Sequence, residues 1–252
     1  MVEQMDKEGL TIDYIDFIFI LSDNRNNMKV VISIGGSLLT RELSYKNFKK
    51  YADVINKISK KHKVIVVCGG GITARSYQNI ARKAKASNEM LDFIGIMATH
   101  INAATFSTFI KNSYLVKWKS LKDAAKEVKK YFGKKVLVCA GYDVGCSTDF
   151  DSAYFASLVN ADLVVNTTNV NGIYDKDPTK FKDAKKFDRL SYDEFIKIIS
   201  KNPQKPGEYR LFDLKAAKLL KEKKIKLIVI DGRNPKEIVK AIEGKHSGTE
   251  VF

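Results

Sequence analysis

The sequence predicts an α/β protein in which a parallel β-sheet is covered by helices on both faces. Two observations carry this. Between residues 29 and 86 the order is strand, glycine turn, helix, strand, glycine turn, helix, the alternation that crossover connections between parallel strands require. The apolar runs themselves, such as Val64-Ile65-Val66-Val67-Cys68, are rich in β-branched residues and show no polar alternation, so both of their faces are expected to be buried.

The first strand is Lys29 to Ile34, running into Gly35-Gly36-Ser37. Residues 45 to 60 place Phe48, Tyr51, Ala52, Ile55 and Ile58 at three- and four-residue spacing, which predicts an amphipathic helix. The strand from Val64 ends in Gly69-Gly70-Gly71, and a helix is expected from Ala74 to Ala86. Glycines there allow a sharp turn and close approach to a ligand, and the N–H groups that open the helix suit an anion. Arg75, one turn in, can reach a phosphate with a charged fork. A polar break at Ser87-Asn88-Glu89 precedes a long, largely buried helix running to Ile110. Ser113 to Val116 reads as a short strand, Ser120 as the cap of a helix from Leu121 to Tyr131, and Val136 to Ala140 as a buried strand ending at Gly141.

The loop from Tyr142 to Thr148 is rich in small and hydroxyl residues and gives way to Asp149 and a helix through Val159. Leu163 to Asn166 is the next strand, and Asn171-Gly172 between apolar residues predicts a hairpin or tight excursion. Ser191 with Glu194 forms a capping box for a helix to Ile199. Asn202 to Glu208 is the most loop-like stretch. Asp213 to Glu222 reads as helix and Leu227 to Ile230 as strand. Asn234-Pro235 opens another helix as cap and first residue, and Thr249 to Val251 adds an edge strand.

With 252 residues, 44% hydrophobic and 29% charged, the composition is that of a soluble globular protein. Lys and Arg number 44 against 29 Asp and Glu, a net charge of +15. The excess is dispersed Lys on predicted helices, with no basic block interleaved with aromatics. That suits solvated faces or small anionic substrates better than nucleic acid. Three cysteines without a C-x-x-C pair indicate neither a disulfide framework nor a zinc knuckle, and Cys68 and Cys139 read as buried, reduced thiols of a cytoplasmic protein. His62, His100 and His246 lack metal-ligand spacing and are assigned no role. Residues 1–27 carry six acidic and two basic side chains, opposite in sign to the rest. They read as an N-terminal extension before a single domain over 28–252. Their apolar part, Tyr14 to Leu21, is too short to span a membrane, and a signal peptide would need a basic start.

No G-x-x-x-x-G-K-[ST] occurs, so a P-loop is excluded. Gly69 to Ala74 fits the looser dinucleotide fingerprint G-x-G-x-x-A, but Glu89, at about the right distance for the acidic partner, follows a helix rather than a strand. Phosphoryl transfer fits better. It needs donors for spreading negative charge, a divalent metal and alignment of two anionic substrates. Gly35-Gly36-Ser37, Gly69-Gly70-Gly71 with Arg75, Gly141 to Thr148, and Thr168-Asn169 all end strands of one sheet, where open α/β folds place ligands. Asp149 and Asp151 can organise basic donors or reach the metal; they can equally serve as helix cap and first-turn dipole compensation.

Five motifs in order, Ile34-Gly35-Gly36-Ser37, Cys68-Gly69-Gly70-Gly71 through Arg75, Asp92-Phe93-Ile94-Gly95-Ile96, Ser147-Thr148-Asp149, and Thr168-Asn169-Val170-Asn171-Gly172-Ile173-Tyr174 through Asp177-Pro178, resemble the motif set of the amino-acid kinase superfamily. Within it the chain most resembles the archaeal-type uridylate (UMP) kinases, over essentially all of residues 28–252 and including the Phe212-Asp213 to Lys218 segment. The resemblance implies a three-layer αβα sandwich with a central, mostly parallel sheet. It implies transfer of a phosphoryl group from ATP to UMP in pyrimidine biosynthesis, Mg²⁺ held mainly through ATP phosphates with no protein ligand assigned, and a cytoplasmic homo-oligomer, usually a hexamer. It places ATP on Gly36, Ser37, Gly71, Arg75, Thr168, Asn169, Tyr174 and Asp177. It places UMP on Gly70, on Asp92, suited to ribose hydroxyls, and on the loop Tyr142, Asp143, Val144, Gly145, Cys146, Ser147 and Thr148. Arg75 and Asp149 are the implied catalytic pair, Asp149 orienting the donors.

The chain also departs from that pattern. Ser33 stands where many superfamily members carry a lysine, which leaves Arg75 as the candidate for charge stabilisation. Asn171 replaces an Asp, and the loop Tyr142 to Cys146 is atypical. The alternatives are a kinase of the same fold for another small acceptor such as isopentenyl phosphate, and a nucleotide-binding sensor or storage protein without turnover. The former relative carries a His in the helix after the glycine turn, and Ala74-Arg75-Ser76-Tyr77 has none.

Overall fold

The structure, a computed structural model, describes residues 27–201 and 212–252. The expected N-terminal extension, apart from Asn27, and the loop-like stretch beginning at Asn202 lie outside the described residues.

An eight-stranded sheet in the order β3-β4-β2-β1-β5-β9-β10-β8 carries the fold. Its centre is β1 (Lys29–Ile34), parallel to β2 (Lys63–Cys68) on one side and to β5 (Leu163–Thr168) on the other. Beyond β2 come β4 (Val136–Cys139) and β3 (Ser113–Leu115), and beyond β5 comes β9 (Lys226–Asp231), all parallel. Burial on both faces explains the unbroken apolar runs. Val31, Ile65, Leu137 and Val164 pack into one core, whereas Val30, Ile32, Val64 and Val165 pack into another on the opposite face.

The second core is closed by α2 (Tyr45–Ile58), α4 (Asn88–Ser107) and α9 (Lys236–Ile242), through Tyr51, Ile55, Phe106 and Ile238. The first is closed by α5 (Leu121–Tyr131), α6 (Thr148–Val159), α7 (Tyr192–Lys201) and α8 (Leu214–Lys223), through Val128, Phe155, Phe195 and Leu220. Local chemistry starts these helices. Ser44, Ser87, Ser120, Ser147 and Asp213 each accept a hydrogen bond from a backbone N–H of the first turn, worth about 1 kcal/mol apiece. The capping box also forms, with Ser191 N–H donating to Glu194 Oε2 at 2.8 Å and Glu194 N–H to Ser191 Oγ at 3.3 Å.

Two local expectations are corrected and two are made specific. The helix after the triple glycine, α3 (Gly71–Lys83), starts three residues earlier than Ala74, because Ile72 N–H finds an acceptor in Thr40 Oγ1 at 2.8 Å. Of the two alternatives at Asn171-Gly172, a hairpin or a tight excursion, the chain takes the excursion. Gly172, at φ +99°, sends the chain into β6 (Ile173–Tyr174), which pairs in a separate two-stranded sheet with β7 (Lys186–Phe187). Thr249–Val251 forms β10, which is internal: it pairs antiparallel with β9 and parallel with the true edge, β8 (Arg189–Leu190). At the start of α9 Asn234 acts as the expected cap, its Oδ1 accepting from Lys236 N–H at 3.2 Å, while Pro235, at φ −61° and ψ −19°, is already helical.

The chain runs from β1 to β2, passes to β3 two places further out, fills the gap between them with β4, and then crosses to place β5 on the other side of β1. At such a reversal the connections leave the sheet in opposite directions and open a crevice at the carboxyl ends of the strands.

Candidate active site

The two glycine turns interlock at that crevice. The first leads into the short helix α1 (Gly36–Leu39). A Cβ on Gly36 would lie 2.5 Å from the Gly69 carbonyl carbon, and one on Gly69 would lie 2.5 Å from Gly36 N. A Cβ on Gly71 would overlap the Gly36 carbonyl, and Gly71 sits at φ +57°. These glycines are therefore required by each other's backbone. Thr40 fastens the pair, donating to Gly36 O at 2.8 Å while accepting from Ile72 N–H. Asn102 of α4, almost fully buried, donates to Gly69 O at 2.8 Å and Gly70 O at 3.1 Å. Ser37 is half-buried and Arg75 exposed beside this platform. Among the described residues Arg75 makes no hydrogen bond or ion pair, so its guanidinium is available to an anion.

The loop after β4 forms a second wall. Thr99 Oγ1 accepts from Gly141 N–H at 2.8 Å, and His100 Nε2 binds Gly141 O at 2.8 Å, so His100 has a positioning role that its sequence spacing did not suggest. Tyr142 is buried and donates to Val116 O at 2.9 Å, which leaves only its backbone for a ligand. Asp143 Oδ1 accepts from Leu121 N–H at 3.2 Å. Gly145, at φ +77°, donates its N–H to Asp92 Oδ2 at 3.1 Å. Asp92 and the loop, 53 residues apart, are thus one unit. Val144 is exposed, and Cys146, Ser147, Thr148 and Asp149 are half-buried. Ser147 donates to Asp213 Oδ2 at 2.9 Å, and Asp213 Oδ1 accepts from Ala216 N–H at 3.0 Å. Asp213 therefore joins the first turns of α6 and α8.

The third wall follows β5. Thr168 Oγ1 closes a tight turn with Val170, accepting from its N–H at 3.0 Å and donating to its carbonyl at 2.9 Å. Asn169 is exposed, while Tyr174 and Asp177 are half-buried. Burial works to raise the Asp177 carboxyl, yet the hydroxyl and N–H of Thr179, with Lys180, hold it below its ordinary value.

Charge is unevenly distributed. Ser33 is almost fully buried, in register with Val67 and Asn166, so the carboxyl end of β1 supplies no cation to the cleft. Lys215, exposed on the first turn of α8, lies close enough to act on the Cys146 thiol, which burial and then Asp151 push upward. Asp151 is fully buried, and among the described residues neither carboxylate oxygen has a hydrogen-bond partner of good geometry. It therefore cannot reach a metal in the cleft. Burial and then Asp143 push its carboxyl up to about 8, with the Tyr142 backbone pulling the other way.

The structure thus brings Gly36, Gly70 and Gly71 together, ties Asp92 to Gly145, and sets Ser147 against Asp213. Thr40, Thr99, His100 and Asn102 are not among the candidate site residues read from the sequence, and Asp213 and Lys215 lie in the Phe212-Asp213 to Lys218 segment named for the resemblance without a role assigned. Asp213-Leu214-Lys215 opening a helix was a visible signal. Thr40 and Asn102 gave none, because their partners are remote in sequence.

This is an αβα protein with its binding turns gathered on the carboxyl edge of the sheet. The chain belongs to the amino acid kinase family, whose model matches residues 28–231. It is 38% identical over 227 residues to the uridylate kinase of Methanocaldococcus jannaschii, covering 89% of this chain and 99% of the relative. It is 34% identical over 226 residues to that of Methanobrevibacter smithii, with the same coverage. The crystal structure of uridylate kinase from Archaeoglobus fulgidus superposes with a TM-score of 0.78 at 37% identity, covering 89% of this chain and all of the other. UMP kinase from Ureaplasma parvum superposes at 0.74 with 25% identity.

Proposed function

We propose that this protein is a uridylate kinase that transfers the γ-phosphoryl group of ATP to UMP, giving ADP and UDP. The observation that carries this is the pairing of two sites at one edge of the sheet. The Asp92–Gly145 unit suits a nucleoside monophosphate on one side of the glycine platform, and the Thr168 turn with Tyr174 and Asp177 suits a nucleotide on the other. Uridylate kinases matched over nearly their whole length support it.

The nucleophile is an oxygen of the UMP phosphate, already anionic near neutral pH, so the chain needs no general base. That oxygen forms a bond to the γ-phosphorus as the bond to the bridging oxygen of ADP breaks. Backbone N–H groups of Gly70 and Gly71, with Ser37, hold phosphate oxygens, and the Asp92 carboxylate takes hydrogen bonds from ribose hydroxyls. With Ser33 buried, the cations for the spreading charge are Arg75 from α3 and Lys215 from α8. Asp149 orients these donors.

Mg²⁺ fits this donor set as a companion of ATP. Among the described residues no three His, Cys, Asp or Glu side chains converge to hold a metal, and Mg²⁺ commonly takes substrate phosphates, waters and one or two carboxylates. When bound it neutralises and aligns the phosphates. Assembly as a homo-oligomer, usually a hexamer in the family, and a cytoplasmic location belong to the same proposal; among the described residues no helix is long and apolar enough to cross a membrane. So does the reading of residues 1–27 as an extension outside a single domain.

A coupled assay with ATP, Mg²⁺ and a panel of UMP, CMP and isopentenyl phosphate tests the function. UDP formed with a clear preference for UMP is the expected result. Turnover of another acceptor with none of UMP would overturn it.

A further inference from the structure

On the sheet face opposite α6, between α1, α2 and the end of β9, lies a 460 Å³ cavity whose walls include Arg41, Glu42, Lys50 and Arg233. None of these residues belongs to the candidate active site. We propose that this cavity is a second, separate anion site that takes a small ligand carrying two or more phosphate charges.

Its floor is rigid. Asn47 donates to Leu38 O at 3.0 Å and Leu39 O at 2.6 Å. Tyr51, almost fully buried, donates to Gly232 O at 2.9 Å. Gly232 packs so closely on Thr167 that a Cβ would stand 2.6 Å from the Thr167 Cβ, and its N–H donates to Thr168 O at 2.8 Å. Helix α2, the α1 turn and the end of β9 are thus locked together by buried polar bonds, and the cationic side chains project from a fixed frame.

The charges above the floor are unbalanced. Two guanidinium groups and one ammonium face a single lining carboxylate, Glu42. Arg233 is shared with Asp231, which accepts from its Nε at 2.9 Å and its Nη2 at 2.5 Å. Arg41 makes no hydrogen bond or ion pair among the described residues, and Lys50 only lies over the Tyr51 ring at 5.1 Å. A multiply charged phosphate meets such donors with several charge-assisted bonds at once, and the volume falls within the range of small-ligand sites. Neighbouring Arg41 is Thr40, whose hydroxyl joins the two glycine turns. Occupancy therefore bears on the KM of the phosphate-bearing substrates rather than on the chemical step.

Calorimetric titration of the full chain at low salt with inorganic pyrophosphate and with UTP tests the site. Arg41→Gln/Lys50→Gln should weaken one binding event at least tenfold, Glu42→Gln should tighten the same event several-fold, and Arg75→Ala should leave it unchanged. Tighter UTP than pyrophosphate at that event identifies a nucleotide ligand, and equal affinities identify an inorganic phosphate polyanion; either supports the site. Binding that persists in the double variant, disappears in Arg75→Ala, or fails to tighten in Glu42→Gln would overturn it. The titration reads no catalysis, so failure of the uridylate kinase reading leaves it intact.

Discussion

Replacing Asp151 with Asn should flatten the pH dependence of stability between about pH 5 and 7.5. Burial, and then the charges of Asp143, Asp149 and Asp213, raise the Asp151 carboxyl from 3.8 to about 8 in the fold. Cys139, Tyr142 and Cys146, which face it across the end of β4 and the following loop, are themselves raised first by burial, and Lys215, the nearby cation, acts on Cys146. The unfolded chain releases this proton near its ordinary value and the folded chain keeps it, so the native state binds one proton more across that interval. Stability is then greatest below the ordinary carboxylate range, falls by about 1.4 kcal/mol per pH unit as pH rises, and levels off above the folded value. From pH 5 to 7.5 this amounts to roughly 3 kcal/mol, or a melting point about 6–12 °C lower for a chain of this size. The substituted amide keeps the shape of the side chain without its titrating proton. Thermal melts of both proteins at several pH values check it, the slope being the readout because a buried amide changes absolute stability as well. Parallel slopes for the two proteins would refute a neutral buried acid.

Other perturbations separate chemistry from structure. Arg75→Ala should lower kcat by roughly 10²–10³-fold with an unchanged melting point, since Arg75 is exposed and makes no hydrogen bond or ion pair among the described residues; steady-state kinetics with calorimetry check both. Asn102→Leu removes both donors to the Gly69 and Gly70 carbonyls; a loss of about 2–3 kcal/mol in denaturant unfolding is expected, with KM raised for both nucleotides. Gly71→Ala forces a Cβ into the Gly36 carbonyl at a positive φ, so activity should fall further than stability, as measured by kcat/KM beside a chemical melt. Asp213→Ala severs the link between Ser147 and the α8 cap and should cost roughly 1–3 kcal/mol with reduced turnover.

Most of the fold was legible because its cause is local. Unbroken β-branched runs mark strands buried on both faces, and Ser and Asp caps mark helix starts within a residue or two. The ordered motifs pointed to the family that the comparisons show. The departures arise where a remote group takes over. The start of α3 depends on Thr40, 32 residues away, and β10 is internal only because β8 adds beside it. His100 looked idle until the fold set it against Gly141.

The alternation of strands and helices, the glycine turns, Arg75 and Asp149 are read from the sequence through residue type and spacing, which dictate backbone freedom, amphipathicity and charge, and Asp92 through the family resemblance that its motif carries. Tertiary structure alone decided that Gly36 and Gly71 need each other's missing Cβ, that Asp92 holds the loop after β4 through Gly145, and that Asp151 is a buried acid rather than a cleft carboxylate. The physical reason is common to all three. Close packing and desolvation depend on which distant atoms arrive at the same place, and spacing along the chain carries no record of that.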